Sequence, residues 1–203
     1  MSEFFIELFS EEIPAGLQRN SRNVLLENFQ NLFEEKKILF KKSSSFSTPN
    51  RLIILFEGLS KEITQKAEEI KGPNVNAPDK AVEGFLRSNQ IDKKDLFIKK
   101  IEKGEFYFFK KPTNKTNTID LLQEYTPLIL DKLQWKKSMI WGNYNLSWAR
   151  PLKSILAVFG NKSLDFKFHH LISSNTTFTD KEFEDKKKIF KTFKSYKDFF
   201  NQS

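Results

Sequence analysis

Two strongly apolar segments near the N-terminus, separated by a stretch with helical periodicity, constrain the fold of this chain most. Residues 3–10 read EFFIELFS and residues 51–57 read RLIILFE, and both patterns are typical of buried strands. Between them, apolar residues recur at helical spacing as far as Lys37, after two acidic residues and Pro14 that suit the start of a helix. The order strand, helix, strand allows the two strands to be adjacent in one sheet.

The remaining segments alternate between helical and extended patterns, which predicts an α+β fold with mixed or antiparallel sheet segments and packed helices. The serine-rich residues 43–50 predict a turn, and the weak pattern of 61–77 ends in another predicted turn at Lys71, Gly72 and Pro73. Pro78 is predicted to open a short helix, and residues 96–111 are predicted to form a hairpin with its turn at 103–105. A helix is predicted over 119–133, capped by Thr118 and kinked or split at Pro127. Arg150 and Pro151 are predicted to open another helix, which Gly160 stops, and a strand is predicted over 164–172.

Composition changes near residue 178. Residues 1–177 form the predicted N-terminal region, and residues 178–203 form a charged segment rich in lysine and phenylalanine. We expect this segment to be the start of a truncated continuation, because its phenylalanines would need a partner or further chain to become buried.

Charge and cysteine content limit the classes of function. The chain has no cysteine, which excludes disulfides, thiolate metal sites and a cysteine nucleophile. The formal net charge of +8 suits a polyanionic partner such as RNA, but the excess is nearly all lysine, which an AT-rich coding sequence would also produce. Neither a run of 18 apolar residues nor a signal-peptide pattern appears, so we expect a cytoplasmic protein that does not contact a membrane.

No set of residues predicts catalysis by this chain. His169 and His170 are neighbours in a predicted strand, where successive side chains point to opposite faces, so one is expected inward and one outward. Glu7, Glu11 and Glu12 could form a carboxylate site for magnesium, although charge at a helix end explains them as well. Glycine-rich phosphate loops are absent from the sequence.

Aromatic residues gather between positions 135 and 148, where Trp135, Trp141, Tyr144 and Trp148 lie among basic residues. Such rings can stack on nucleic-acid bases, or they can fill a core or a subunit interface. We expect Trp141 to be buried beneath a loop that runs from Gly142 to Arg150. Arg150 should then bond loop carbonyls or a carboxylate, with Glu7 and Glu11 as candidates.

Six short blocks follow one another along residues 3–160: FFIELFSEEIPAG, STPNRLIILFEGL, EEIKGP, PDKAVEGFLRSNQI, KGEFYFF and KSMIWGNYNLSWARPLKSILAVFG. Together they resemble the N-terminal portion of the beta subunit of bacterial heterotetrameric glycyl-tRNA synthetase. The chain departs from this pattern where Asn50 replaces an arginine, where the loop between Lys71 and Ala81 is short, and where FTDKEF replaces a Gly-His-Arg-Phe element. The resemblance marks these structural or interface candidates: Trp141, Gly142, Arg150, Pro151, Arg51, Lys71, Gly72 and Pro73.

The resemblance implies a division of labour within an α2β2 enzyme. The alpha subunit would hold the active site and use ATP and magnesium, while this chain would bind no cofactor, carry no catalytic residue, and support assembly and tRNA-Gly binding. Because family members continue into an HD-type domain and an anticodon-binding domain, we expect this chain to be an N-terminal fragment or the product of a split or decayed gene. Two other functions stay open, a stand-alone basic RNA-binding module and a hydrolase that uses His169 or His170.

Overall fold

The computed structural model describes residues 2–65, 68–101, 104–111, 113–180 and 186–201. Its strands are β1 (Ser2–Ser10), β2 (Lys42–Thr48), β3 (Arg51–Leu59), β4 (Glu62–Gln65), β5 (Glu68–Asn74), β6 (Leu96–Ile101), β7 (Gly104–Lys111), β8 (Asn114–Asn117), β9 (Met139–Ile140), β10 (Ser147–Trp148), β11 (Leu152–Phe159), β12 (Lys162–Ser163), β13 (Lys167–Phe168), β14 (Leu171–Ile172), β15 (Thr176–Phe178) and β16 (Lys187–Ile189). Its helices are α1 (Ala15–Glu35), α2 (Asp79–Asn89), α3 (Thr118–Asp131) and α4 (Phe193–Asn201), and Lys93–Asp95 form one 3-10 turn. The predicted α+β class is confirmed.

The chain divides into two units. Unit 1 comprises residues 1–63 and 116–203, and unit 2 comprises residues 64–115. This division differs from the sequence-based limit at residue 177, which stays a prediction.

Unit 1 is built on a five-stranded antiparallel sheet with the strand order β12, β11, β1, β3 and β2. The predicted strands at 3–10 and 51–57 are confirmed as β1 and β3, and they are direct neighbours. Helix α1 is confirmed as well, although it begins at Ala15 and not at the preceding acidic residues. Lys37 follows the helix in a left-handed conformation, with φ 58°, where the chain turns toward β2.

Both faces of the central strands are covered. On one face, the alternate residues Phe4, Ile6 and Leu8 of β1 pack in a core with apolar residues of α1 and α3. On the other face, Phe5 packs with Phe190 and Tyr196 of the C-terminal segment. Burial on both sides explains why these strands are continuous apolar runs and do not alternate with polar residues.

The structure corrects the predicted helix after Pro151, which is the central strand β11. Its residues Leu152, Ile155, Leu156 and Phe159 match helical spacing, but Ala157 and Val158, which lie between Leu156 and Phe159, are buried too. A strand between two apolar layers has the same composition as a buried helix, so spacing alone could not separate the two. The predicted stop at Gly160 is a turn residue with φ 56° that leads into β12.

The serine-rich segment is also corrected, from a turn to the edge strand β2. Its serine side chains form hydrogen bonds with α1. Arg22 donates to Ser47 Oγ at 3.0 Å, and Gln30 donates to Ser43 Oγ at 2.9 Å. These polar contacts take the place of an apolar face, and only Pro49 and Asn50 form the turn.

Helix α3 runs through Pro127 as one helix and is not split there. Thr118 is its first residue and not its cap, since Asn117 occupies the cap position. The Thr118 hydroxyl instead donates to the carbonyl of Ser60 at 2.6 Å, which ties the start of α3 to the end of β3.

Residues after Phe178 pack within unit 1. Phe190 is 2% exposed and Tyr196 is 3% exposed, and Phe193, Phe199 and Phe200 pack partly buried against the same cluster. The expectation that this segment needs a partner or further chain to bury its phenylalanines is therefore wrong for Phe190.

Unit 2 consists of α2 and a three-stranded antiparallel sheet in the order β5, β7, β6. The predicted helix after Pro78 and the predicted hairpin are confirmed. Of the turn predicted at 103–105, Gly104 and Glu105 belong to strand β7, and Lys103 lies outside the described residues. Residues 71–73 belong to strand β5 and not to a turn, with an irregularity in the pairing between Lys71 and Asn74.

Candidate functional site at the Trp141 loop

The loop between α3 and β11 exposes three large apolar or aromatic side chains close together in sequence, those of Met139, Ile140 and Tyr144. Within it, β9 and β10 pair as a short hairpin, Ser147 with Ile140 and Trp148 with Met139. Gly142 begins the connection with φ 61°, a conformation that glycine adopts without strain. The hairpin thereby places the Met139–Trp141 segment at the surface.

Trp148, and not Trp141, is the buried tryptophan of this loop. Trp148 is 2% exposed and packs edge-on against Trp135, with 5.1 Å between ring centroids, and against Phe168 at 5.9 Å. Trp141 is half-buried, and its Nε1 donates to the carbonyl of Trp148 at 3.2 Å. The predicted burial of Trp141 beneath the loop from Gly142 to Arg150 is therefore wrong, and its indole is bonded to the backbone of β10.

A cavity of about 300 Å³ opens beside this indole. Its wall includes Tyr144 and His170, whose rings stack in parallel with 3.7 Å between centroids and 8° between planes. The cavity is lined by Trp141, Gly142, Tyr144, Leu146, Trp148, Pro151, Leu152 and His170. It is an aromatic surface depression with one imidazole at its rim.

The two histidines lie in the turn between β13 and β14, not within a strand, and both are exposed. His169 has φ 51°, and its Nε2 lies 2.9 Å from a carboxylate oxygen of Asp131. Burial, with a smaller effect of the neighbouring His169, lowers the pKa of His170 below its usual value of 6.5. The expectation of one inward and one outward histidine is wrong, because the chain reverses at this pair.

A second cavity, of about 560 Å³, lies along the basic side of the same hairpin. Its lining combines Pro14, Gly16, Leu17, Lys136, Lys137, Met139, Ala149 and Arg150. Met139 is 60% exposed and Ile140 is 63% exposed. Exposed apolar side chains next to lysines are typical of a surface that contacts a macromolecule.

Arg150 bonds a backbone carbonyl, as expected, but one that lies outside the loop from Gly142 to Arg150. Its Nε donates to the carbonyl oxygen of Glu12 at 3.2 Å, which ties the Trp141 loop to the segment that precedes α1. The candidate carboxylate partners are not used: Glu7 is paired with Arg51, and Glu11 lies 3.9 Å from Lys153.

Arg51 lies in a buried polar cluster on the sheet face that the C-terminal segment covers. Its guanidinium donates to Glu7 at 2.7 Å, to the Thr177 hydroxyl at 3.2 Å and to the carbonyl of Phe178 at 2.6 Å. Thr177 and Tyr196 also donate to Glu7, which is fully buried. Burial first, and then the Glu7 charge, raise the pKa of Tyr196 far above its ordinary value, so its phenol stays protonated and donates.

Of the eight candidates from the sequence, the structure brings together Trp141, Gly142, Arg150 and Pro151 at this loop. Arg51 is buried in the polar cluster, and Lys71, Gly72 and Pro73 lie in β5 of unit 2. An interface role for any of the eight stays a prediction. Two features of the site were not predicted from the sequence, the stack of Tyr144 on His170 and the exposed Met139–Ile140 pair. The pair could have been suspected because two apolar residues lie there among polar ones, whereas the stack has no signal in the sequence.

Among the residues of the described ranges, no group of three or more histidines, aspartates or glutamates is placed to hold a metal ion. In the same ranges, no helix has the length and apolar character needed to cross a membrane.

Comparison with known proteins finds one family. The family model described as glycyl-tRNA synthetase beta subunit matches residues 4–203. A glycine–tRNA ligase beta subunit from Rickettsia canadensis is 38% identical over the whole chain, and one from Rickettsia bellii is 39% identical over 97% of it. Another from Rickettsia felis is 37% identical over the whole chain. The chain spans about 30% of the length of these relatives.

Proposed function

Because the chain belongs to the glycyl-tRNA synthetase beta subunit family, we propose that it supports the ATP-dependent attachment of glycine to tRNA-Gly without carrying the active site. The observation that carries this proposal is the family match over residues 4–203. In the proposed arrangement, the cytoplasmic enzyme is an α2β2 assembly, and its alpha subunit uses the ATP and magnesium.

Assembly with the alpha subunit is the first half of the proposal. We assign this contact to the Trp141 surface, defined by Lys136, Lys137, Met139, Ile140, Trp141 and Tyr144. Methionine and aromatic residues are enriched in the cores of protein interfaces, and lysines are depleted there and belong to the rim. The exposed Met139–Ile140 pair with flanking lysines follows that arrangement.

Positioning of tRNA-Gly is the second half. A non-catalytic chain contributes to the reaction by holding the acceptor end near the activated glycine, which replaces a bimolecular encounter by an oriented one. The net charge of +8 supports attraction of a polyanion, and this attraction weakens as salt rises.

Co-purification with the cognate alpha subunit tests the assembly. The chain and the alpha subunit should elute together, and the pair should charge tRNA-Gly faster than the alpha subunit alone. The chain by itself should give no glycine-dependent ATP–pyrophosphate exchange. Exchange by the pure chain, or no association with the alpha subunit at low salt, would contradict the proposal.

A matched pair of variants locates the contact. Ile140→Ser should weaken association with the alpha subunit at least several-fold, since it places a polar group in an apolar contact. Ile189→Ser is the control, because Ile189 is 60% exposed and Ile140 is 63% exposed, and Ile189 lies in β16, away from the loop. Equal effects of the two substitutions would exclude the Trp141 surface as the contact.

The alternative function, a stand-alone RNA-binding module, predicts RNA binding without any association with the alpha subunit.

A further inference from the structure

The sheet of unit 2 has one face covered by its helix and one face open. On the covered face, Phe85 of α2 packs edge-on against Phe109 of β7, with 6.0 Å between ring centroids. A Cβ atom at Gly72 would come within 2.8 Å of the Phe85 ring, so glycine permits the close approach of α2 to β5. Because side chains alternate along a strand, Lys71 of β5 and Phe108 of β7 point to the opposite face.

Two of the aromatic rings on this face, those of Phe97 and Phe106, are partly exposed, whereas the ring of Phe108 is 8% exposed. Phe97 of β6 is 37% exposed and stacks on Phe108, with 6.1 Å between centroids and 29° between planes. Phe106 is partly exposed on the same strand face as Phe108. In the strand register Phe97 pairs with Phe108, so Phe106 is its diagonal neighbour, about 7–8 Å away in a regular sheet.

Lysines lie among these rings. Lys71 Nζ lies 3.7 Å from the centroid of Phe106, and Lys99 Nζ lies 5.7 Å from that of Phe108. Lys99 also pairs with Glu69 at 2.7 Å, and its hydrogen bond is the main reason why the pKa of Glu69 is lowered. Lys110 acts on Glu69 as well, with a smaller effect.

The charge of the face is positive after this pair is taken into account. Glu69 neutralises Lys99, which leaves Lys71 and Lys110 as the cations of the face, and no carboxylate in the described part of the chain lies within ion-pair distance of Lys71. Residues 64–115 contain twelve lysines and arginines against eight aspartates and glutamates. The partly exposed rings of Phe97 and Phe106 therefore share one face of the sheet with more lysines than carboxylates.

We propose that this open face, defined by Phe97, Phe106, Phe108, Lys71, Lys99 and Lys110, binds an unpaired segment of RNA. Two neighbouring bases would stack on Phe97 and Phe106, and the backbone phosphates would contact Lys71 and Lys110. Base stacking on aromatic side chains needs only a π-face and tolerates any base, while the lysines supply the attraction to phosphate. This inference rests on the tRNA-positioning half of the proposed function. It places the contact with RNA on unit 2, apart from the Trp141 surface that is assigned to the alpha subunit.

The charge argument is tested with two double variants of equal charge. Lys71→Gln with Lys110→Gln removes two cations from the open face. Lys100→Gln with Lys111→Gln removes two cations from the other face of the same sheet, since Lys100 alternates with Lys99 in β6 and Lys111 with Lys110 in β7. Fluorescence anisotropy with a labelled oligouridine should show weaker binding for the first pair, with a slope of log affinity on log salt that is shallower by about 1.4. Equal losses for the two pairs would overturn the inference in favour of general charge attraction.

The stacking argument is tested with Phe97→Leu and with an abasic oligonucleotide of the same length. Phe97→Leu should weaken oligouridine binding about five- to ten-fold, and Phe97→Tyr, which keeps a ring, should bind as the unchanged protein does. The abasic strand should bind more weakly and should not respond to Phe97→Leu. Equal binding of the abasic strand or of duplex RNA, or displacement of oligouridine by polyglutamate as effective as by RNA, would overturn the proposal.

These measurements separate this inference from the proposed function. If the chain associates with the alpha subunit but the open-face variants bind RNA as before, only the location on unit 2 fails. If oligouridine binding follows the expected pattern but the alpha subunit is not bound, the proposed function fails and the RNA surface stands.

Discussion

Replacing Arg51 by methionine should destabilise unit 1 more than any other substitution of an arginine. Arg51 is 7% exposed and its guanidinium lies between two rings, 4.4 Å from the centroids of Phe9 and of Phe200. Methionine keeps much of this apolar packing but removes every donor. Glu7, which is fully buried, would then lose its cationic partner and retain only the hydroxyls of Thr177 and Tyr196 as donors.

The magnitude follows from the cost of leaving a buried charge unpaired. Removing one partner of a buried ion pair costs about 3–5 kcal/mol. With a urea dependence of about 2–3 kcal/mol per molar for a chain of this size, the unfolding midpoint should fall by about 1–2.5 M. Tryptophan fluorescence is the suitable signal, because Trp135, Trp141 and Trp148 all lie in unit 1 and report on its unfolding alone.

Two controls decide whether the unpaired charge is the cause. Arg150→Met removes one hydrogen bond to the Glu12 carbonyl in a more exposed setting and should cost about 1 kcal/mol. Adding Glu7→Gln to Arg51→Met removes the unpaired charge and should restore part of the lost stability. The reasoning is refuted if Arg51→Met and Arg150→Met shift the midpoint equally, or if the double variant is no more stable than Arg51→Met.

Three further predictions concern packing and protonation. Trp148→Ala should cost about 3–5 kcal/mol in urea unfolding and the half-buried Trp141→Ala clearly less; equal costs would contradict the assignment of Trp148 as the core residue. Gly72→Ala should destabilise unit 2 by about 1–3 kcal/mol, whereas Gly84→Ala, where an added Cβ meets nothing within 4 Å, should stabilise helix α2 by about 0.5–1 kcal/mol, both measured by hydrogen exchange of residues 64–115. The pKa of His170 is lowered on folding, so the unfolded chain binds more protons than the folded chain at acidic pH. The free energy of unfolding should therefore fall as pH drops below about 6.5. His170→Gln should make the urea midpoint depend less on pH in that range.

The first sixty residues show how far local pattern predicts this fold. Strands β1 and β3 and helix α1 follow from apolar runs and helical spacing, because most of each strand is buried and the buried residues of α1 recur at helical spacing. Strand β2 could not be predicted in the same way. Its serines contact polar side chains of α1, and such a partner is known only once the helix and the strand are placed side by side.

The Trp141 loop shows the corresponding limit for the candidate site. The aromatic cluster was apparent in the sequence, but which tryptophan is buried depends on the strand pairing of the hairpin that carries them. Likewise, Tyr144 and His170 are far apart in sequence, and their stacking depends on the turn between β13 and β14, where a strand was expected. Contacts of this kind are set by tertiary packing and leave no local signal.

A charged residue within a buried strand nevertheless predicts that a partner exists, even where it cannot say which one. Glu7 lies in the apolar run of β1, and burying an unpaired carboxylate is too costly for a stable fold, so a cationic partner was required. Arg150 was the expected partner. In the structure, antiparallel pairing sets Ile53 of β3 opposite Glu7. Arg51 lies two residues away from Ile53 and on the same face, so its guanidinium reaches the carboxylate. The same face then needed a cover, and the C-terminal segment supplies it with Tyr196, whose hydroxyl completes the set of donors to Glu7. The requirement for charge compensation thus follows from β1 alone, while the identity of each compensating group follows from strand register and from the position of the C-terminal segment.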